Sequence, residues 1–234
     1  MKEEKAKAVA AATIASPQEP GASGNDTVRN PVPPSLGQKR ALPRPIDLAP
    51  DCDARLRDCV KVYPDFISTD EESYLLMNIY DQHQASWQSV RNRRLQCFGG
   101  DPVPGAARIA LPDWLQHLTR FVECSGAIDY SIDHVLLNEY REGQGILPHT
   151  DGPSYYPCVA CLSVGDACGD MLFQTKLRTE DIGTRKAEQL LTVTLPPRSL
   201  VVFSGFAYND VLHSIQDVRN GSKRISLTMR KILI

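Results

Sequence analysis

No apolar run in this 234-residue chain approaches the about eighteen residues of a membrane-spanning helix. The start, MKEEKAKAVAAATIASP, lacks the long apolar core of a secretory signal. It also carries Glu3 and Glu4 among lysines and no early arginine, unlike an Arg-rich, acid-poor mitochondrial presequence, so the cytoplasm and nucleus are the expected compartments. Positive charge is not in surplus: 26 Lys and Arg against 28 Asp and Glu give a formal net charge of -2. Any polyanionic partner must therefore meet a local patch rather than the whole surface. A disulfide framework is not expected either, because the seven cysteines are odd in number and scattered from Cys52 to Cys168. Cys158 and Cys161 form a C-x-x-C, but no second pair follows at zinc-ribbon spacing. They sit in the apolar run CVACLSV and read as buried strand cysteines. There is no internal repeat.

What the chain does contain is enough apolar material, 42%, to bury one good core. Residues 1–48 are rich in Ala, Pro, Gly, Ser and Lys and hold hardly any large apolar side chain, so they are expected to form a disordered tail ahead of a single domain over residues 49–234. The centre of residues 58–68 is strand-like. Ser68 with Glu71 makes a capping box that opens a helix over residues 69–83, and Pro112 and Gly126 bracket a second helix carrying Trp114, Leu115, Leu118, Phe121 and Val122 at helical spacing. The remainder reads as short strands at residues 134–140, 158–164, 170–175, 189–195, 199–205 and 224–234, with an exposed hairpin loop around Arg178, Glu180 and Asp181. The expected class is mostly β with flanking helices (α+β), built on a double-sheet jelly roll whose tapered interior can hold a small ligand.

The chemistry concentrates in NEYREGQGILPHTDG, residues 138–152. In an extended segment His149 and Asp151, two apart, present an imidazole and a carboxylate to the same side. An iron(II) centre with open positions for cosubstrate and dioxygen wants two histidines and one carboxylate. His213 is the only histidine downstream, so it completes the set if the triad reading is right. Beyond it, RISLTMR places Arg224, Ser226, Thr228 and Arg230 at period two, opposite Ile225, Leu227 and Met229. Two guanidinium groups on one strand face look like a carboxylate clamp. Upstream, Arg91, Arg93 and Arg94 lie near Trp87 and Phe98, the mixture a loop needs to hold phosphates and stack on bases, or simply a solvated hairpin.

The order N-x-Y, H-x-D nine residues after the tyrosine, a lone His, and R-x-S-x-T-x-R resembles the AlkB family of iron(II)- and 2-oxoglutarate-dependent dioxygenases. The stretches RRLQCFGG, HTDGPSYYP and LPPRSLVVFSG are most similar to its eukaryotic homologue-six subfamily. Ser226 departs from the Asn that many members carry. The resemblance implies Fe(2+) on His149, Asp151 and His213. It implies 2-oxoglutarate held by Arg224 and Tyr140 at its distal carboxylate, with Asn138 and Arg230 nearer the metal and Ser226 between. It also implies that Arg91, Arg93, Arg94 and Phe98 form a substrate lid over the active site. The expected activity is oxidative demethylation of alkylated bases in single-stranded or locally opened nucleic acid by a monomer, with succinate, carbon dioxide and formaldehyde released. The alternatives are a protein hydroxylase or demethylase using the same centre, or an inactive member of the fold that binds nucleic acid or protein.

Overall fold

The computed structural model describes residues 31–37, 40–50, 52–81, 87–177 and 186–234. Ser68 caps the helix α2 (Thr69–Ile79) as its sequence requires: its side chain accepts from the Glu71 amide, and the Glu71 carboxylate accepts from the Ser68 amide. The helix α3 (Asp113–Ser125) follows Pro112 and stops at Gly126, whose φ of 80° is open to a residue without a Cβ. A short helix α1 (Ala54–Arg57) precedes both.

Eleven strands are described: β1 (Val60–Tyr63), β2 (Gln88–Val90), β3 (Arg93–Phe98), β4 (His134–Arg141), β5 (Ile146–His149), β6 (Cys158–Gly165), β7 (Cys168–Thr175), β8 (Gln189–Leu195), β9 (Leu200–Ser204), β10 (Val211–Arg219) and β11 (Lys223–Arg230). A one-turn helix α4 (Gly205–Asn209) links β9 to β10. They form a seven-stranded sheet in the order β1-β9-β6-β11-β4-β3-β2 and a four-stranded sheet in the order β5-β10-β7-β8. The registered pairs are antiparallel. This is the jelly roll expected from the strand spacing.

Period two divides the large sheet into two environments. Ile225, Leu227 and Met229 of β11 join Leu115, Leu118 and Phe121 of α3 and Leu75 and Ile79 of α2 in one apolar cluster on the helix side. Val159, Cys161, Met171, Phe173, Val201 and Phe203 fill the space between the two sheets. Cys158 and Cys161 are buried strand residues with free thiols. Among the described residues no helix is long and apolar enough to cross a membrane.

Part of the stretch expected to be a tail packs on the domain. Leu36, on a 3-10 turn at Pro34–Gly37, is only 3% exposed in the helix-side core, and Leu42 and Leu48 pack on the two apolar clusters. The Ile46 amide donates to the Val62 carbonyl at 2.8 Å, and Arg40 pairs with the buried Glu71 at 3.0 Å. A few isolated leucines and one arginine suffice because the domain supplies the complementary surface. Residues 1–30 and the loop around Arg178, Glu180 and Asp181 lie outside the described residues.

Candidate active site

His149 ends β5 and pairs directly with His213 of β10, while Ile146 pairs with Ile215. Leu147 and Pro148 of β5 thus oppose the single Ser214 of β10, a bulge. Without it, His149 and Ile146 would point to opposite faces; with it, both line the pocket. The two imidazole centroids are 4.4 Å apart. One ligand atom from each of His149, Asp151 and His213 lies within 4.8 Å of the others. Nδ1 of His149 donates to the Leu147 carbonyl at 2.8 Å, which leaves Nε2 with its lone pair free.

The charges in this corner fit a divalent cation. Burial lowers the His149 pKa. Burial likewise pushes His213 down to about 4, against the opposing pull of Asp151. Both rings are therefore neutral near pH 7 and able to ligate. The Asp151 side chain is 2% exposed; Arg230 pairs with its Oδ1, while Oδ2 is buried with no hydrogen-bond donor among the described residues, 3.6 Å from Nε2 of His213. A buried carboxylate oxygen without a donor is costly unless a cation completes it. The donor set of two imidazoles and one carboxylate is the one that suits iron(II) with open positions.

On the inner face of the large sheet, Asn138 and Tyr140 of β4 stand directly opposite Ser226 and Arg224 of β11. Arg224 is fully buried. Its Nη2 donates to Ser163 Oγ at 2.8 Å, but Nε and Nη1 have no acceptor among the described residues. Its guanidinium carbon lies 5.8 Å from the Tyr140 ring centroid. Burial raises the Tyr140 pKa, so its phenol keeps its proton and can donate. The bare Cα of Gly169 makes room here, since a Cβ would come within 3.1 Å of the Arg224 side chain. One pocket is lined both by Asn138, Tyr140, Ser226 and Arg230 of the large sheet and by His149 and His213 of the triad.

Arg230 was expected beside the cosubstrate, and it does line the pocket, but its charge is already engaged by Asp151. It also stacks on the Tyr155 ring at 4.8 Å, so it supports the ligand carboxylate. The four residues expected to form the lid do not share one face. Arg93 shares the pocket face and donates from Nε to Asn138 Oδ1 at 2.7 Å. Arg94 is one residue on and therefore faces the helices, where it grips both oxygens of Glu139 at 2.7 and 2.8 Å. Phe98, on the same face as Arg94, packs edge-on against Trp114 at 5.9 Å. Arg91 is exposed in the turn between β2 and β3. Strand alternation is what prevents the four from forming one surface. Sequence reasoning missed Ser163 and Tyr155; a lone polar residue inside CVACLSV was the available signal for the first.

The chain matches a model of the 2OG-Fe(II) oxygenase superfamily over residues 76–230. It is 36% identical over 159 residues to Probable RNA/DNA demethylase ALKBH6 of Danio rerio, covering 66% of this chain and 68% of that protein. It is 28% identical over 199 residues to Alkylated DNA repair protein ALKBH8 homolog of Arabidopsis thaliana, covering 72% of this chain and 57% of that protein. Among solved structures, OsALKBH1 shares the fold with a TM-score of 0.52 at 17% identity, covering 74% of this chain and 97% of that one.

Proposed function

The chain belongs to the 2OG-Fe(II) oxygenase superfamily, in its AlkB-like branch, and on that premise we propose that it demethylates alkylated bases in nucleic acid. It is a dioxygenase, an oxidoreductase that uses Fe(2+) and 2-oxoglutarate. The observation that carries the assignment to this pocket is the pairing of two unmet charges: the donorless Asp151 oxygen between two neutral imidazoles, and the buried Arg224 with two unpaired nitrogens. The names of the two relatives, one an RNA/DNA demethylase and one an alkylated-DNA repair protein, support nucleic acid as the substrate class.

Bound iron and 2-oxoglutarate supply the oxidation: dioxygen converts 2-oxoglutarate to succinate and carbon dioxide and hydroxylates an N-methyl carbon, which is lost as formaldehyde. The chain's own work is to hold and orient. His149, Asp151 and His213 would bind the metal. Arg224, with Tyr140 as a second donor, would take a carboxylate at the closed end, and Ser163 keeps the guanidinium plane fixed. Arg230 keeps Asp151 turned toward the imidazoles. Apolar walls from Met171, Phe203 and Ile215 exclude water from the reacting groups.

His213 and the carboxylate of Asp151 are buried, which favours a base that has left its stack, in single-stranded or locally opened substrate. We place the protein in the cytoplasm and nucleus as a monomer without membrane attachment; its seven free thiols suit a reducing compartment. The test is mass spectrometry of methylated nucleosides after incubation with single-stranded DNA, single-stranded RNA, duplex DNA and a peptide pool in parallel. Loss of a methyl mark in the single strands, with matching succinate, is expected. Turnover of the peptide pool alone would overturn the substrate assignment.

A further inference from the structure

Arg93 begins β3, the neighbour of β4 in the large sheet, and Leu95 two residues later stands directly opposite Asn138. Its side chain therefore runs diagonally across the inner face, and its Nε–H meets Asn138 Oδ1 at 2.7 Å. Asn138 is only 4% exposed, and this is the one hydrogen bond of its side chain among the described residues. The consequence follows from donor chemistry. A guanidinium can only donate, so it fixes which end of the amide is the acceptor. The Nδ2 end, with two hydrogens and no acceptor among the described residues, is left for the pocket that Asn138 lines.

Arg93 differs from its neighbour in a second way. Arg94 spends its charge on Glu139, but Arg93 has no carboxylate partner among the described residues. A half-buried guanidinium with a single neutral acceptor is poorly used if its role is only to secure a strand.

We propose that Arg93 is a positioning residue for 2-oxoglutarate: it acts through Asn138, locking the amide so that Nδ2 donates to the cosubstrate. This rests on the assignment of the pocket to 2-oxoglutarate made above. Without Arg93 the amide can turn over about its last torsion and present Oδ1, an acceptor, to an anionic ligand that needs donors. Among the described residues the only other restraint on that amide is packing.

The test is calorimetric binding of 2-oxoglutarate to the manganese(II)-loaded protein, which requires no turnover. Four forms are compared: wild type, Arg93→Met, Asn138→Ala and the double variant. One oriented hydrogen bond is worth about 1 kcal/mol, so Arg93→Met should weaken 2-oxoglutarate binding about fivefold. Manganese affinity and melting temperature should stay unchanged. In the Asn138→Ala background the same substitution should have less than about a twofold effect, because the residue acts through that amide. In steady state the loss should fall on the KM for 2-oxoglutarate and leave kcat intact. Unchanged affinity in Arg93→Met would overturn the proposal, as would an equal loss in both backgrounds or a parallel loss of manganese binding and thermal stability. If the wild type itself binds no 2-oxoglutarate, the failure belongs to the pocket assignment instead.

Discussion

Arg94 and Arg224 project from opposite faces of the same seven-stranded sheet, and their surroundings differ in kind. Arg94 forks onto both oxygens of Glu139, lies 4.3 Å from the Trp87 ring, and shares its carboxylate with the Tyr80 hydroxyl. Every charge there has its counterpart. Arg224 is more deeply buried, has no carboxylate partner among the described residues, and makes one hydrogen bond to a neutral serine. A buried guanidinium left in that state costs stability that a well-packed apolar side chain would not. Such a cost persists when a ligand supplies the missing charge. The outer face of the sheet is thus arranged for the fold, with Arg40, Arg94 and Arg198 each ion-paired, and the inner face for something the chain does not itself provide.

The largest expected effect removes the cation's ligand and keeps the rest. Asp151→Asn can still accept from Arg230, so the fold should survive, but metal affinity and succinate formation should each fall by at least about a hundredfold. Substantial residual turnover would remove Asp151 from the ligand set. Next comes the clamp. Arg224→Lys replaces a planar fork by a point charge and should raise the KM for 2-oxoglutarate by about one to two orders of magnitude. A change below about twofold would mean that the cosubstrate does not lie against this side chain.

The sharpest form of the comparison is one substitution made on both faces. Arg94→Met strands the buried Glu139 carboxylate and should lower the free energy of unfolding by about 3 kcal/mol in urea titrations. Arg224→Met, measured without cosubstrate, removes two unmet donors and should raise stability by about 1 kcal/mol, net of the lost Ser163 contact. The same sign for both would end the contrast between the faces.

His134 sets the pH dependence of the sheet's other end. Burial, followed by the charges of Arg230 and Arg108, pushes it down to about 4 from the ordinary 6.5. The unfolded chain therefore takes up this proton near pH 6.5 and the folded chain only near 4. This contribution to stability is complete above 6.5 and lost as pH falls toward 4. It is worth about 2–3 kcal/mol across that window, so His134→Asn should lose that much less than wild type between pH 7 and 4. Equal losses would place a charged His134 in the folded protein. The smallest effect belongs to Arg91, exposed in the hairpin turn. Its replacement by Ala should weaken single-strand binding a few-fold and reduce the salt dependence by about one phosphate contact.

Much of the inner face was legible because period two is a strong constraint. Once Arg224, Ser226, Thr228 and Arg230 alternate with Ile225, Leu227 and Met229, the division between pocket and core follows. Other parts depended on partners distant in sequence. Arg94 reads like Arg93 until Glu139 is known to stand across from it. The strand β10, which carries His213, is absent from the strands read by alternation, because YNDVLHSI has no clean alternation next to the one-turn α4. The bulge that turns His149 inward has no signature beyond a Pro in an edge strand. Leu36, Leu42 and Leu48 are too sparse in a Pro-rich stretch to announce a packed segment; only the surface they cover makes them part of the core.

The most direct test is a crystal structure of the protein grown with manganese(II) and 2-oxoglutarate. The account requires one metal ion held by His149, Asp151 and His213 at about 2.0–2.2 Å, as divalent metals sit on these donors. It also requires a 2-oxoglutarate carboxylate within hydrogen-bond distance of Nε or Nη1 of Arg224. A metal bound away from the triad, or a cosubstrate that leaves Arg224 unpaired, would contradict it.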